Sequence, residues 1–285
     1  NIRFSNYFIY KLTVIYLISS YAYLLVFHGS RDCRTHTAVL NLKNLLIAKY
    51  KSKIILTQEN YLEKNSFGFE SKLSSESTIV SDLSGLPLIE VAALELGDQS
   101  LSQSLSDFAQ KANRQGFKQI KVIPLFLAPG VHVQSDIPAE IALASKQLDN
   151  QVTIKLSPYL GKYSGIISLL AHRFDEISAK TRILIAHGSR LLTAGEYYQN
   201  LSNQLNAELA YWSTIPKFTQ QIKAQIALGS EKIAILPYFL FPGKITEAIA
   251  TEIEELRQQY PHVELMLGEP LGSTPAIAEL IAQEA

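Results

Sequence analysis

The chain has 285 residues, 47% hydrophobic and 18% charged, which excludes a disordered or collagen-like polymer. That is about twice the length of a common single domain, so two domains are expected. Lys+Arg and Asp+Glu each total 26, giving zero formal net charge; with no basic run, nucleic acid is excluded as the main partner.

A single cysteine, Cys33, excludes an internal disulfide framework and any Cys-rich zinc or iron–sulfur site. It fits a reducing compartment, and a cytoplasmic location is expected. The only Met is Met266 and the chain opens Asn1-Ile2-Arg3, which reads as a fragment, a processed chain or an unusual start.

Residues 1–20 form an N-terminal extension. Residues 7–27 are nearly all apolar, and about 20 such residues can cross a bilayer. Lys11 and Ser19-Ser20 interrupt the run, and it leads directly into His28-Gly29-Ser30-Arg31. The preferred reading is a buried strand at 22–27, with no membrane partner. Downstream, short apolar runs at 88–94, 119–127 and 151–156 end near Gly, Pro or Ser, and amphipathic stretches at 34–49 and 100–114 separate them. Fully apolar strands alternating with helices indicate βαβ units and parallel sheets. A helix over 163–179 bridges to a second series: strand 182–186, helix 194–208, strand 231–239, helix 246–259, strand 262–267 and helix 274–283.

Two motifs recur. Tyr23-Leu-Leu-Val-Phe-His-Gly-Ser-Arg31 matches Arg182-Ile-Leu-Ile-Ala-His-Gly-Ser-Arg190, and Ile123-Pro-Leu-Phe-Leu-Ala-Pro-Gly130 matches Leu236-Pro-Tyr-Phe-Leu-Phe-Pro-Gly243. The first pair lies 159 residues apart (28 to 187) and the second 113 (124 to 237), so the N-terminal copy holds 46 extra residues. The polar, Ser-rich stretch 50–88 is the expected insertion, read as a surface loop. The expected architecture is α/β: two tandem, similar, doubly wound domains with parallel sheets, made by internal duplication. The expected divisions are 21–160 for the first half and 161–285 for the second.

In open α/β sheets, ligands bind beyond the carboxyl ends of the strands. His28 follows the first strand, Glu95 ends the run 88–94, and His132 follows 119–127 through Ala128-Pro129-Gly130. If these ends lie side by side, two imidazoles and a carboxylate converge, a set suited to iron(II), cobalt(II) or nickel(II). Three protein ligands leave positions open for exchange. Against this stands the ordinary role of a strand-end His as a structural hydrogen-bonder. Glu90 is the fallback carboxylate. Gly29 and Gly188 are expected in tight turns, Ser30 and Ser189 as helix caps, and Asp136 as an N-cap before Ile137-Pro138. His36 and His172 fall on predicted helices, solvated or packed. No GxSxG, P-loop or GxGxxG signature is present.

On His28-Gly-Ser-Arg-Asp32, Val91-Ala-Ala-Leu-Glu95, Pro124-Leu-Phe-Leu-Ala-Pro-Gly-Val-His-Val-Gln-Ser-Asp-Ile-Pro138, and the second-half His187-Gly-Ser-Arg190 and Pro237-Tyr-Phe-Leu-Phe-Pro-Gly243, the sequence resembles the class II tetrapyrrole chelatases. The likeness is to the long two-domain sirohydrochlorin chelatases and runs over about 22–285 without the insertion. It implies insertion of a divalent metal, iron or cobalt, into sirohydrochlorin in sirohaem or cobalamin biosynthesis. His28 and His132 would bind the metal, with Glu95 as ligand or proton acceptor. No cofactor is implied beyond the metal substrate, Fe2+ or Co2+. Cys33 stands where the family often has Pro, and Ala93 where it often has a larger residue.

The second half departs at the ligand positions: His187 remains, but Ser213 stands for the carboxylate and Lys244-Ile245 follow Gly243. The chemistry therefore belongs to the first half. Arg31, Arg34, His187, Arg190 and Lys244 are candidates for holding the polycarboxylic substrate, Arg being suited to bidentate pairing. A duplicated chain already carries a pseudo-twofold pair, so a monomer is expected. The competing readings are a non-catalytic metal or tetrapyrrole binder on the same fold, and a membrane-tethered enzyme resting on 7–27.

Overall fold

A computed structural model describes residues 21–65, 86–148 and 151–284. The predicted extension at 1–20 and the Ser-rich part of the insertion at 66–85 lie outside the described residues. No described helix is long and apolar enough to cross a membrane.

The first sheet contains β1 (Tyr21–Phe27), β2 (Ile89–Ala93), β3 (Gln119–Pro124) and β4 (Thr153–Leu156), all parallel, in the order β2-β1-β3-β4. Between them run α1 (Cys33–Asn65), α2 (Leu101–Arg114) and α3 (Ile137–Gln147). After α4 (Gly165–Ile177), the second sheet repeats the plan: β5 (Thr181–Ala186), β6 (Glu208–Tyr211), β7 (Lys232–Pro237) and β8 (Glu264–Leu267), parallel, in the order β6-β5-β7-β8. Its helices are α5 (Leu192–Gln204), α6 (Phe218–Ala227), α7 (Lys244–Gln259) and α8 (Pro275–Glu284). These are the two doubly wound parallel sheets expected from the repeat.

Alternation along the central strands explains the layering. In β1, Ala22, Leu24 and Val26 face α2 and α3, while Tyr23, Leu25 and Phe27 face the other way. In β5, Ile183 and Ile185 face α6 and α7, while Leu184 and Ala186 turn inward. The inward faces of both sheets, with α1, α4, α5 and α8, make one continuous core that includes Leu42, Leu46, Tyr163, Leu170, Phe174, Leu201 and Ile281. The helix stripes match: α2 buries Leu101, Leu105, Phe108, Ala109 and Ala112, and its N-cap Ser100 accepts from the Gln103 amide at 3.2 Å.

Three expectations need correction. Residues 50–65 are not loop: α1 continues unbroken to Asn65, the stretch 50–65 having neither Gly nor Pro, and Tyr50 and Ile54 are buried. Tyr50 stacks on Tyr23 at 5.6 Å between ring centroids. Second, the helix expected over 194–208 runs from 192 to 204. Asn206 has a positive φ of 49°, and the Ala207 amide bonds back to the Ser202 carbonyl, which stops it. Third, β6 and α6 follow where no elements were predicted. β6 has only Ala210 buried, so it lacks the long apolar run of its neighbours.

Candidate metal centre

The strand order β2-β1-β3 sets three carboxyl ends side by side, and the winding reverses between β1 and β3, where such sheets open a crevice. Backbone bonds extend the pairing beyond the strands: the Glu95 amide donates to the His28 carbonyl at 2.9 Å and the Leu125 amide to the Val26 carbonyl at 2.7 Å. Gly29 makes this approach possible. Its φ is +97°, and a Cβ there would stand 1.8 Å from the Glu95 carbonyl oxygen.

His28, Glu95 and His132 thereby form one group, with a ligand atom from each within 4.8 Å of the others. Glu95 Oε2 lies 3.9 Å from His28 Nε2, and Oε1 lies 3.8 Å from His132 Nδ1. Two atoms each bonded to one ion at about 2.1 Å sit about 3 to 4 Å apart, so the gap between His28 and Glu95 is of metal-site size, while the His132 nitrogen nearest Glu95 is Nδ1. The imidazoles meet edge to face at 4.8 Å. His28 Nδ1 lies 3.2 Å from the Gly29 carbonyl, which takes its hydrogen and leaves Nε2 with a lone pair. His28 and Glu95 are half exposed and His132 less so, which leaves the group open to an incoming ion.

Asp136 is not an N-cap. It has helical backbone angles and caps nothing with its side chain. His132–Asp136 form one wide π-helical turn in which the Ile137 amide bonds the His132 carbonyl. The turn brings Asp136 Oδ2 to 2.8 Å from His132 Nδ1, where the carboxylate accepts its hydrogen and frees Nε2. Sequence reasoning missed this role; the His-to-Asp spacing in His132-Val-Gln-Ser-Asp136 carried the signal. Ser30 also sits one step off its expected role: it accepts from the Asp32 amide, and Asp32 caps α1 by accepting from the Arg34 amide, both at 3.0 Å. Ser189 makes the matching turn, accepting from the Leu191 amide at 3.1 Å.

Glu90 is remote from this group: Lys43 and Lys111 each hold its carboxylate at 2.7 Å. Cys33 is exposed at the start of α1, His36 contacts Phe27, and His172 is exposed beside Glu176.

The second half keeps the backbone plan without the ligands. His187 Nδ1 lies 3.1 Å from the Gly188 carbonyl, and the Ser213 amide bonds the His187 carbonyl as Glu95 bonds that of His28. The Ser213 hydroxyl donates to the same carbonyl at 2.6 Å. Gly188 has a φ of +93°, and a Cβ would meet Thr214 Oγ1 at 2.5 Å.

Between the halves lies a cavity of about 950 Å3, lined by both His-Gly-Ser-Arg turns and both Pro-Gly loops. Phe126, Phe239 and Phe241 give it an aromatic lining. Arg31, Arg190, Lys244 and His187 are on its wall, as are His28 and His132. Among the described residues no carboxylate pairs with Arg31, Arg190 or Lys244. Arg34 is committed elsewhere: its Nε donates to Asp32 at 2.9 Å and its Nη1 pairs with Glu247 of α7, tying α1 to the second half. These bonds hold the Asp32 carboxyl at about 2 and push Glu247 below the usual carboxylate range.

The sequence matches the CbiX family over residues 70–177 and again over 181–285. The first stretch takes in Glu95 and His132, the second His187, and His28 precedes both. The sirohydrochlorin cobaltochelatase of Priestia megaterium is 23% identical over 225 residues, covering 73% of this chain and 72% of its own. The sirohydrochlorin ferrochelatase of Bacillus subtilis (strain 168) is 23% identical over 192 residues, covering 63% and 72%. Among solved structures, SirB from Bacillus subtilis with Fe3+ superposes with a TM-score of 0.67 at 20% identity over 93% of each chain. That likeness is one of fold.

Proposed function

Because the chain belongs to the CbiX family, we propose that it is a sirohydrochlorin chelatase that inserts Fe2+ or Co2+ into the tetrapyrrole. The observation that carries the reading is the convergence of His28, Glu95 and His132, with both imidazoles on the wall of a cavity between the halves. The nitrogen and oxygen donors suit borderline divalent ions. A volume of about 950 Å3 falls in the range of small-molecule sites.

The reaction exchanges one divalent ion for two pyrrole protons, so charge balances. His28 Nε2, His132 Nε2 and Glu95 receive the ion as substrate. As the ion passes to the pyrrole nitrogens, each ligand regains a lone pair and becomes a base. Two of the three suffice for the two protons, imidazole and carboxylate both being able to act as a base. Arg31 and Arg190, with no ion-pair carboxylate among the described residues, and Lys244, near Asp32 and Glu247, pair with the acidic side chains of the substrate, while the aromatic wall receives its ring. The attraction is local to the cleft, consistent with zero net charge. The chain acts as a monomer in the cytoplasm, its second half completing the cleft in place of a partner subunit.

The test is metal insertion followed by absorbance, with both metals in competition. His28→Ala and His132→Ala are each expected to lose at least about 100-fold in rate, and His187→Ala to keep most of it. Full activity in both first-half variants sinks the assignment. Saturable binding of metal without turnover converts the protein into a carrier.

A further inference from the structure

Two tyrosines of the second half reach backbone carbonyls of the first. Tyr238, directly after β7, is 3% exposed, and its hydroxyl lies 3.0 Å from the Leu127 carbonyl. The Tyr197 hydroxyl of α5 lies 2.7 Å from the Gly161 carbonyl. The two hydroxyls are 2.6 Å apart. Leu127 belongs to the loop that leads from β3 to His132. Gly161 braces the same loop: its amide donates to the Phe126 carbonyl at 2.9 Å, and a Cβ on it would stand 2.0 Å from the Leu127 oxygen. In the repeat, Tyr238 occupies the place of Leu125, so the first half has no such hydroxyl.

A count of hydrogens separates the two phenols. Burial pushes both upward in pKa, so each keeps its one hydrogen. Two hydrogens face three close oxygen contacts. The 2.6 Å contact between the hydroxyls needs one of them. If Tyr197 donates to Tyr238, the other hydrogen goes to Leu127. If Tyr238 donates to Tyr197, it goes to Gly161, and the Leu127 carbonyl loses its bond. Beyond Leu127 the loop is stiff. Pro129 fixes one φ, the Gly130 amide bonds the Ala128 carbonyl, and the Val133 and Gln134 amides bond the Gly130 carbonyl. A shift at Leu127 therefore carries along the loop to the His132 imidazole.

We propose that Tyr238 is a positioning residue for His132, through which the half that lost its ligands sets the geometry of the half that kept them. This rests on the reading of His132 as a ligand of the incoming metal.

The experiment titrates the full chain with Co2+ by visible absorbance and measures KM for Co2+ and for sirohydrochlorin separately. Tyr238→Phe is expected to weaken Co2+ binding about tenfold and raise KM for Co2+ alike, with KM for sirohydrochlorin unchanged. Tyr197→Phe is expected to bind Co2+ at least as tightly as wild type, because the remaining hydrogen then goes wholly to Leu127. Tyr163→Phe removes a buried hydroxyl that has no hydrogen-bond partner among the described residues and should match wild type. Wild-type Co2+ affinity in Tyr238→Phe, or equal weakening in Tyr197→Phe, overturns the proposal. Should Tyr238→Phe not fold, Tyr197→Phe decides: unchanged or tighter binding supports it, weaker binding overturns it. His28→Ala keeps the two readings apart. If it binds Co2+ like wild type, the metal centre itself is wrong; if it loses binding while Tyr238→Phe does not, only the role of the tyrosine falls.

Discussion

At the scale of single residues, the candidate metal centre depends on groups that hold the imidazoles as much as on the imidazoles themselves. The Nδ1 hydrogen of His132 is taken by Asp136 at 2.8 Å, and that of His28 by the Gly29 carbonyl at 3.2 Å, so both rings present Nε2. Asp136→Ala should weaken Co2+ binding by roughly 10–100-fold in an absorbance titration, with little change in melting temperature because the side chain is partly exposed. Unaltered affinity would show that the ring is held by packing alone. Gly29 is constrained twice, by its φ of +97° and by the Glu95 carbonyl. Gly116 has a φ of +89° but open space around its Cβ. Gly116→Ala should therefore cost about 1 kcal/mol in denaturant unfolding, the backbone penalty alone. Gly29→Ala should cost at least about 2 kcal/mol and also lose Co2+ binding, since Glu95 must move. Equal costs at the two sites would mean that the contact with Glu95 is easily relieved.

At the scale of elements, the first turns of α1 and α7 meet across the cleft through Arg34, which bonds Asp32 beside it and Glu247 opposite. Asp32 titrates at about 2 in the folded chain against an ordinary 3.8, and Glu247 is lowered in the same direction. A depressed carboxylate pKa stabilises the fold above the unfolded value, and this contribution disappears as pH falls through the folded one. Between about pH 4 and pH 2 the wild type should therefore lose melting temperature faster than Arg34→Met, in which both carboxylates return toward ordinary values. Parallel acid limbs would remove this bridge from the list of acid-sensitive contacts. The long helices were readable from their patterns, but their ends were not. The length of α1 rests on helix-compatible residues continuing past Tyr50, and the end of α5 on a reversal at Asn206. β6 escaped notice because an edge strand of four residues with one buried side chain has almost no periodic signal.

At the scale of the whole molecule, each half keeps an outer core of its own, and the two share an inner one. The inward faces of both sheets close on one core, where Tyr163, Phe174, Leu46 and Ile281 pack together. Calorimetry should show one cooperative transition, and Phe174→Ala should lower stability of the entire chain by about 3–5 kcal/mol. Two resolved transitions would mean that the sheets fold independently. The shared core also fixes the cleft, because the strand ends of both halves open onto the same cavity.

The repeated His-Gly-Ser-Arg and Pro-Gly motifs, the parallel sheets and the candidacy of His28, Glu95 and His132 were legible in the chain alone. Parallel strands are buried on both faces and read as plain apolar runs, so the first polar residue past each run marks a strand end. Loss of the second carboxylate and second imidazole was equally plain, since the repeat supplies its own alignment. The order β2-β1-β3 was decided only in three dimensions: crossover packing sets which strands become neighbours, and no local pattern records it. The same holds for Arg34, which reads as a free cation in the sequence and is bound to Glu247 in the fold. Asp136 and Tyr238 gain their roles from a π turn and from a contact between halves 111 residues apart in the chain. Composition and spacing determine what the chain can coordinate; the packing of one half on the other decides which side chains are free to do it and which ones hold them in place.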